Sequence, residues 1–285
     1  MKFKAKFIEE RIFKILMITS TSIILLSLGA ILGSILYKGL PSLSWEMISQ
    51  TPKGGFYLGK SGGILNAILG SFYIAFGATA IALLVSLPVA LYINIYRKKF
   101  SKYSNLVRLC LDVLWGVPSI VYGALGFSVM LYIGLKTSLL AGIIIVGILI
   151  IPVMIRAMDE VIKTIPKGLV EASLALGSTK TETAFKIVVK QALPGIITAI
   201  LLSFGRAIGD AASVMYTTGF TDNIPKSLLS QAATLPLAIM NLVSSPIVEV
   251  QNKAYASALI LTFIILFLSI ISRLLSIKYT KNKSH

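Results

Sequence analysis

The sequence predicts an all-α integral membrane protein with six transmembrane helices and both termini in the cytoplasm. Three observations carry that prediction. First, 56% of the 285 residues are hydrophobic and only 13% are charged, and the mean hydropathy is +0.86, a balance too apolar for a soluble domain. Second, the apolar residues gather into runs of about 20 or more, the length a helix needs to cross about 30 Å of hydrocarbon. Third, when these runs are threaded alternately through a bilayer, 20 of the 27 Lys and Arg residues fall on one side and six on the other, the asymmetry that marks cytoplasmic loops. The formal charge of +16 is thereby explained by the flanks of the spans. With no aromatic and basic surface repeat beside it, that charge does not point to nucleic acid. Cys110 is the only cysteine and His285 the only histidine, which leaves neither an internal disulfide nor a His/Cys metal cluster.

The elements follow in order. Residues 1–14, with Lys2, Lys4, Lys6, Arg11 and Lys14, form a basic cytoplasmic N-terminus. Residues 15–285 are expected as a single transmembrane domain, with its core at about 62–277 and a long cytoplasmic loop at 156–194. The first apolar run, 15–37, is longer than a signal-peptide core and lacks a small-residue cleavage site, so it is read as a retained span. Residues 38–63 carry prolines, glycines, Trp45 and Tyr57, a composition for a loop at the outer interface. Within it, residues 54–61 satisfy the phosphate-loop pattern GxxxxGK[ST]. No buried strand precedes that pattern, a membrane span follows it, and the topology places it outside the cell, so it is not read as an ATP site.

The second span, 64–96, is long enough to tilt or to project, with Pro88 near its inner end. Arg97, Lys98, Lys99, Lys102 and Arg108 return the chain to the cytoplasm. The third span, 109–135, contains Asp112 and the run Gly116-Val117-Pro118-Ser119; proline lacks a backbone donor, so a kink is expected there, either as a bent packing element or as part of a pathway. Lys136 and Thr137 make a short outer turn, and the fourth span occupies 138–155. Arg156, Asp159 and Glu160 then sit where the helix meets cytoplasm and read either as a solvated helix end or as part of a gate. A fifth span is expected from Pro194 to about Tyr216. Residues 217–254 hold Pro225, Pro236 and Pro246 and an apolar patch at 232–243, too short to cross and read as a re-entrant or interfacial outer helix. The last span, 255–277, ends at Lys278, Lys281 and Lys283 inside the cell.

The polar stretch at 171–194, EASLALGSTKTETAFKIVVKQALP, separates two spans and organises the chain. Its first residues are helix formers, and Gly177 supplies the positive φ that ends such a helix. Residues 181–192 read as a second helix with Ala184, Ile187, Val188 and Gln191 on one face, which Leu193 and Pro194 are expected to terminate. The outcome is a helix, a sharp turn and a helix on the membrane surface.

In this stretch Glu171, Ala172, Ser173, Gly177, Leu193 and Pro194 stand at the spacing of the EAA motif, and the chain there resembles the permease subunits of ABC importers. With its flanks from Ile151 to Asp210, and with the runs at 62–73 and 116–126, it is similar to the phosphate-importer permease family of the PstA type. The resemblance covers most of the chain from about 62 to about 220. It implies the ABC type I importer permease (MetI-like) fold in the bacterial cytoplasmic membrane, and a short coupling helix that docks in a groove of the ATP-binding subunit. It further implies as partners an ATP-binding subunit dimer, a second permease subunit, similar or identical, an extracytoplasmic phosphate-binding protein and membrane lipid. No cofactor is expected on this chain; ATP and Mg belong to the partner ATPase, and the chain itself is not an enzyme.

Arg206 stands within an apolar run, in SFGRAIGDAAS. A guanidinium at the centre of a membrane helix costs about 2.5–3.5 kcal/mol by insertion scales, so something must compensate it. Asp210 at i+4 offers an ion-pair partner, Ser203 and Ser213 lie near the same face, and Gly205 and Gly209 make a close-packing surface. Two readings stand side by side: a neutral pair that holds the bundle together, or a pathway guanidinium that grips an oxyanion bidentately while Asp210 tunes it. The resembling family carries RAxGE here, with Arg206 and Asp210 on its charged positions; Asp replaces its Glu, and Ala-Ala-Ser-Val replaces its usual Thr-Ala-Pro-Leu. The expected substrate pathway is therefore Arg206, Asp210, Ser203 and Ser213.

The resulting expectation is a permease that moves inorganic phosphate by alternating access, driven by a separate ATPase. Phosphonate, molybdate and sulfate are the other oxyanions an importer of this kind would take. A stand-alone secondary transporter or channel would also carry intramembrane charge, but no internal inverted repeat is visible. A membrane scaffold explains the spans but not Arg206 with Asp210.

Overall fold

The computed structural model describes residues 2–53, 62–96 and 101–281. The phosphate-loop-like run at 54–61, together with Arg97, Lys98, Lys99 and Lys283, lies outside the described residues. Eleven helices are described. α1 (Lys2–Gly39) and the short α2 (Trp45–Ser49) precede α3 (Leu65–Leu91), which continues as a π-helical turn over Tyr92–Tyr96. α4 (Lys102–Gly116) and α5 (Ser119–Tyr132) follow, then α6 (Leu139–Lys163) and α7 (Lys167–Ala175). α8 (Lys180–Glu182) passes through a π-helical turn, Thr183–Val188, into α9 (Val189–Gly209); α10 (Leu235–Val243) and α11 (Val248–Lys281) close the chain.

Five helical stretches are long and apolar enough to cross a membrane, and the α4–α5 pair makes a sixth if it is taken as one broken span. The core is a three-helix seam of α3, α6 and α9. α3 turns a row of small residues inward, Ala75, Ala78, Ala82 and Ala90, against Ile143, Val146, Ile150 and Met154 of α6. Small side chains let two membrane helices approach closely, which supplies the packing that lipid tails cannot drive. From α9, Ala192, Ile196, Ala199 and Ala207 close the seam.

Four expectations are corrected. The third span is not one kinked helix: α4 and α5 meet at 92°. Val117 and Pro118 are extended at the break, the conformation that a residue before proline prefers. Pro194 does not end a helix but lies inside α9. Its ring forfeits one backbone bond, and the π-helical turn just upstream absorbs the misfit, so a single helical course runs over Lys180–Gly209. The fifth span consequently ends at Gly209 rather than near Tyr216. Gln191, placed by periodicity on the inner face, is exposed, because the buried row is Ala184, Val188, Ala192 and Ile196 at steps of four.

The outer segment is packed rather than surface-bound. α10 is capped by Thr234, whose hydroxyl accepts from Leu237 N–H, and buries Leu235, Ala238 and Leu242 with Met47, Ile64 and Val250. The first N–H groups of a helix lack partners of their own; at the start of α6, Ser138, Leu139 and Leu140 give theirs to the carbonyls of Thr217, Ser230 and Leu228 at 2.7–2.9 Å. That seating fixes residues 217–230 over the end of α6. Asn66 donates to Thr221 O at 2.6 Å, and Ser71 Oγ accepts from Leu235 N–H at 2.8 Å.

Candidate translocation and coupling sites

Arg206 occupies the last turn of α9 and is exposed in this chain. The helix stops three residues later, and Asp210 is extended, with φ −79° and ψ 125°. Its carboxylate turns away from Arg206: Oδ2 accepts the Ser213 N–H at 2.9 Å and also the Ser213 hydroxyl. Asp210 thus caps the turn at 211–218, where Met215 and Thr218 bond back to Ala211 and Val214. The expected pair on one helical face is corrected accordingly. An unbroken helix is needed for i+4 pairing, and the capping bond to Ser213 takes the carboxylate instead. Among the described residues Arg206 forms no ion pair.

What compensates Arg206 is therefore weaker than an ion pair. The helix carbonyls around it contribute about 0.3–1 kcal/mol, less than the about 2.5–3.5 kcal/mol that a central guanidinium costs. The balance is met only if the exposed side of Arg206 faces water, a neighbouring chain or an anion. Ser203, by contrast, is fully buried, and its Oγ has no hydrogen-bond partner; it does not share the exposed surface of Arg206. Ser213 is buried as well, held by Asp210.

The break between α4 and α5 lies beside this point. The Tyr122 hydroxyl of α5 reaches back across the break and donates to Leu114 O at 2.9 Å. That bond is a second one to this carbonyl, which also accepts the Val117 N–H at 3.2 Å as the helix closes. α5 packs tightly on the 211–218 turn: a Cβ on Gly123 would stand 2.8 Å from Ala212 O. The Phe127 and Tyr216 rings lie 6.2 Å apart. Broken helix, guanidinium and capped turn thus converge on one place.

From α7 to Glu182 the stretch folds as its sequence predicts. α7 ends at Gly177, φ +85°; Gly177 N–H bonds Leu174 O at 3.0 Å and Ser178 N–H bonds Ser173 O at 3.2 Å. That double closure is the Schellman geometry, which needs a residue at positive φ. Thr179 then opens the next helix in a reciprocal capping box with Glu182. Glu171 and Ala172 are exposed on α7, as is Leu193, while Pro194 is partly buried. Ser173 is turned inward to Thr183, 2.9 Å between hydroxyl oxygens. Leu174, Leu176 and Phe185 stand open around the turn, Leu176 with 87% of its surface free.

Arg156, Asp159 and Glu160, read from the sequence as a solvated helix end or part of a gate, belong to a larger cluster that the sequence does not show, with Asp159 buried. Asp159, buried on α6, gathers Arg108 of α4, Asn94 of the π-turn and Lys163 of its own helix. Arg156, Asp159, Glu160 and Lys163 carry alternating charge at three- and four-residue steps, a signal that could have suggested a network. Nothing in the sequence shows that Arg108 and Asn94 join it.

A bundle of apolar helices with one broken span, a guanidinium near that break and a helical hairpin exposing apolar residues defines a multi-pass membrane permease. Residues 83–280 match the family described as binding-protein-dependent transport system inner membrane component, and the chain belongs to that family. Its relatives include the phosphate transport system permease protein PstA of Haemophilus influenzae, 30% identical, with 86% of this chain and 85% of that protein aligned. A probable phosphate transport system permease protein PstA of Methanocaldococcus jannaschii is 30% identical over 93% of this chain and 92% of the relative. Among solved structures, an inward-facing MetNI methionine ABC transporter chain superposes with a TM-score of 0.59 at 19% identity, covering 74% of this chain and 95% of that one. The fold is that of MetI-type ABC importer permeases.

Proposed function

We propose that this chain is the transmembrane permease subunit of an ATP-driven importer that carries inorganic phosphate across the bacterial cytoplasmic membrane. The observation that carries the reading is Arg206: an exposed guanidinium without an ion pair among the described residues, beside a broken span, in a chain whose relatives are phosphate permeases. A planar guanidinium offers two parallel donors to a tetrahedral oxyanion, a match that lysine does not reproduce. Asp210 and Ser213 serve this site by holding the 211–218 turn, and Ser203 by packing behind it.

In this reading the pathway opens to each side in turn as a partner ATPase dimer closes on ATP and releases. The ATPase receives α7 and the exposed Leu174, Leu176 and Phe185, with Glu171 and Ala172 on the docking surface and Gly177 setting its angle. ATP and Mg act on that partner. A second permease chain, similar or identical, faces α4, α5 and Arg206, and a phosphate-binding protein delivers substrate from outside.

The test is uptake of labelled phosphate by cells carrying this chain with its partner subunits, with sulfate and molybdate as competitors. Wild type takes up phosphate in an ATP-dependent manner, and Arg206→Ala abolishes uptake without loss of assembly. ATP-dependent uptake of sulfate or molybdate in place of phosphate would overturn the substrate assignment, and absence of any bound ATPase would overturn the importer.

A further inference from the structure

The buried cluster around Asp159 lies between the coupling hairpin and the broken span. The Asp159 side chain is 1% exposed. Arg108 of α4 grips it at two points, Nε to Oδ2 and Nη2 to Oδ1, each 2.9 Å. Lys163 stands 2.7 Å from Oδ2, and Asn94 donates to Oδ1 at 2.8 Å. One turn further along α4, Asp112 lies 2.7 Å from Nε of Arg156, an ion pair in which the Nε–H is not aligned to donate. α4 is thus tied to α6 at two places, one buried and one open.

The two ties differ in what breaking them costs. Asp159 is a buried charge, and parting it from Arg108 would forfeit both guanidinium bonds and leave Lys163, Arg156 and Asn94 to hold it, which is unfavourable. Arg156 stands otherwise, with three carboxylates in reach: Asp112, Asp159 at 3.1 Å and Glu160 at 3.3 Å. Asp112 is 45% exposed and Glu160 60% exposed. If α4 swings away, Arg156 keeps Asp159 and Glu160, and Asp112 is taken up by water. The arrangement has a fixed pivot, Arg108 with Asp159, and a releasable contact, Arg156 with Asp112. An element that can exchange between two such arrangements can carry coupling between distant sites.

The same cluster reaches the coupling hairpin. Asn94 belongs to the π-turn that ends α3, and in that turn the Tyr96 hydroxyl lies 2.6 Å from the Thr181 hydroxyl. Two residues on, Thr183 meets Ser173 of α7. At its other end α4 runs into the break beside Arg206.

We infer that the Arg156–Asp112 contact is a releasable latch through which movement of α7 reaches the α4–α5 break, with Asp112 as a positioning residue that touches no substrate. The inference rests on the proposed importer reading. It is tested in proteoliposomes holding the whole transporter with its binding protein, by measuring phosphate taken up per ATP hydrolysed. Wild type tests the reading itself: without phosphate-stimulated ATP hydrolysis and uptake, that reading fails.

Given a working wild type, Asp112→Asn lowers the uptake-to-hydrolysis ratio at least fivefold in a complex that still assembles, and Asp112→Glu, which keeps the charge, stays within twofold of wild type. A merely structural role would lower the amount of complex and leave the ratio alone. A ratio in Asp112→Asn that falls less than fivefold, or one in Asp112→Glu that falls as far as in Asp112→Asn, overturns the latch. Asp112 is half-exposed in this chain and lies outside its packed core, and the amount of assembled complex is measured beside the ratio for both variants.

Discussion

The hydroxyls of Ser173 and Thr183 lie 2.9 Å apart in a buried contact that joins α7 to the first turn of the helical course leading to Arg206. Ser173 is otherwise part of a helix whose neighbours Glu171 and Ala172 are exposed. The contact makes α7 and the start of α9 one piece. Replacement of Ser173 by Ala leaves the Thr183 hydroxyl buried without this partner, at a cost of about 1–3 kcal/mol. Thermal unfolding of the purified complex should show a lowered midpoint for Ser173→Ala, and Ser173→Thr should retain most of the stability.

Gly177 is constrained by its backbone alone. Its φ is +85°, yet a Cβ would meet nothing within 4 Å. The cost of substitution is then the left-handed penalty, about 1–2 kcal/mol for an ordinary residue and less for Asn. Phosphate uptake is expected to fall in the order Gly, Asn, Ala, Val, with assembly of the ATPase falling in the same order.

Asp210 caps the 211–218 turn and does not neutralise Arg206. Asp210→Asn keeps an acceptor for the Ser213 N–H and should retain most of the uptake, whereas Asp210→Ala removes the cap and should lose it. Arg206→Lys should remain strongly impaired, since lysine keeps the charge but not the paired donors. Loss of uptake in Asp210→Asn as complete as in Asp210→Ala would restore the ion-pair account.

Two glycines beside the break make a contrast. A Cβ on Gly116 meets nothing within 4 Å, whereas one on Gly123 comes within 2.8 Å of Ala212 O and 3.0 Å of Ser213 Cα. Gly116→Ala should be close to neutral. Gly123→Ala forces α5 off the capped turn at a cost of about 1–3 kcal/mol, visible as reduced uptake at equal expression.

Asp222, in the outer segment, has a pKa pushed above the ordinary aspartate value by burial. A carboxyl raised in the folded state contributes its full stability below its unfolded pKa and loses it as pH rises through the folded one. Asp222→Asn should therefore be more stable than wild type at neutral pH and show no advantage at low pH, as read from unfolding midpoints across pH.

How much was legible depends on how far apart in the chain the cause lay. The apolar runs and the turn at Gly177 are local: each is set by a window of about 20 residues or fewer, and they reappear as the long helices and as the closed turn after α7. The expected end of a helix at Pro194 was a local rule that lost. Proline removes one bond, and a π-turn with a packed inner row of Ala184, Val188 and Ala192 keeps the rest.

The sequence by itself determined that this chain spans a membrane and where the turn at Gly177 falls, because hydrophobic length and glycine's freedom at positive φ act through neighbours in the chain. Only the tertiary structure decided the rest. The 92° break, the loss of Asp210 to Ser213, and the meeting of Arg108 with Asp159 and of Asp112 with Arg156 depend on where three helices come to lie against one another. A charge buried there takes the nearest donors that packing supplies, whatever their distance along the chain.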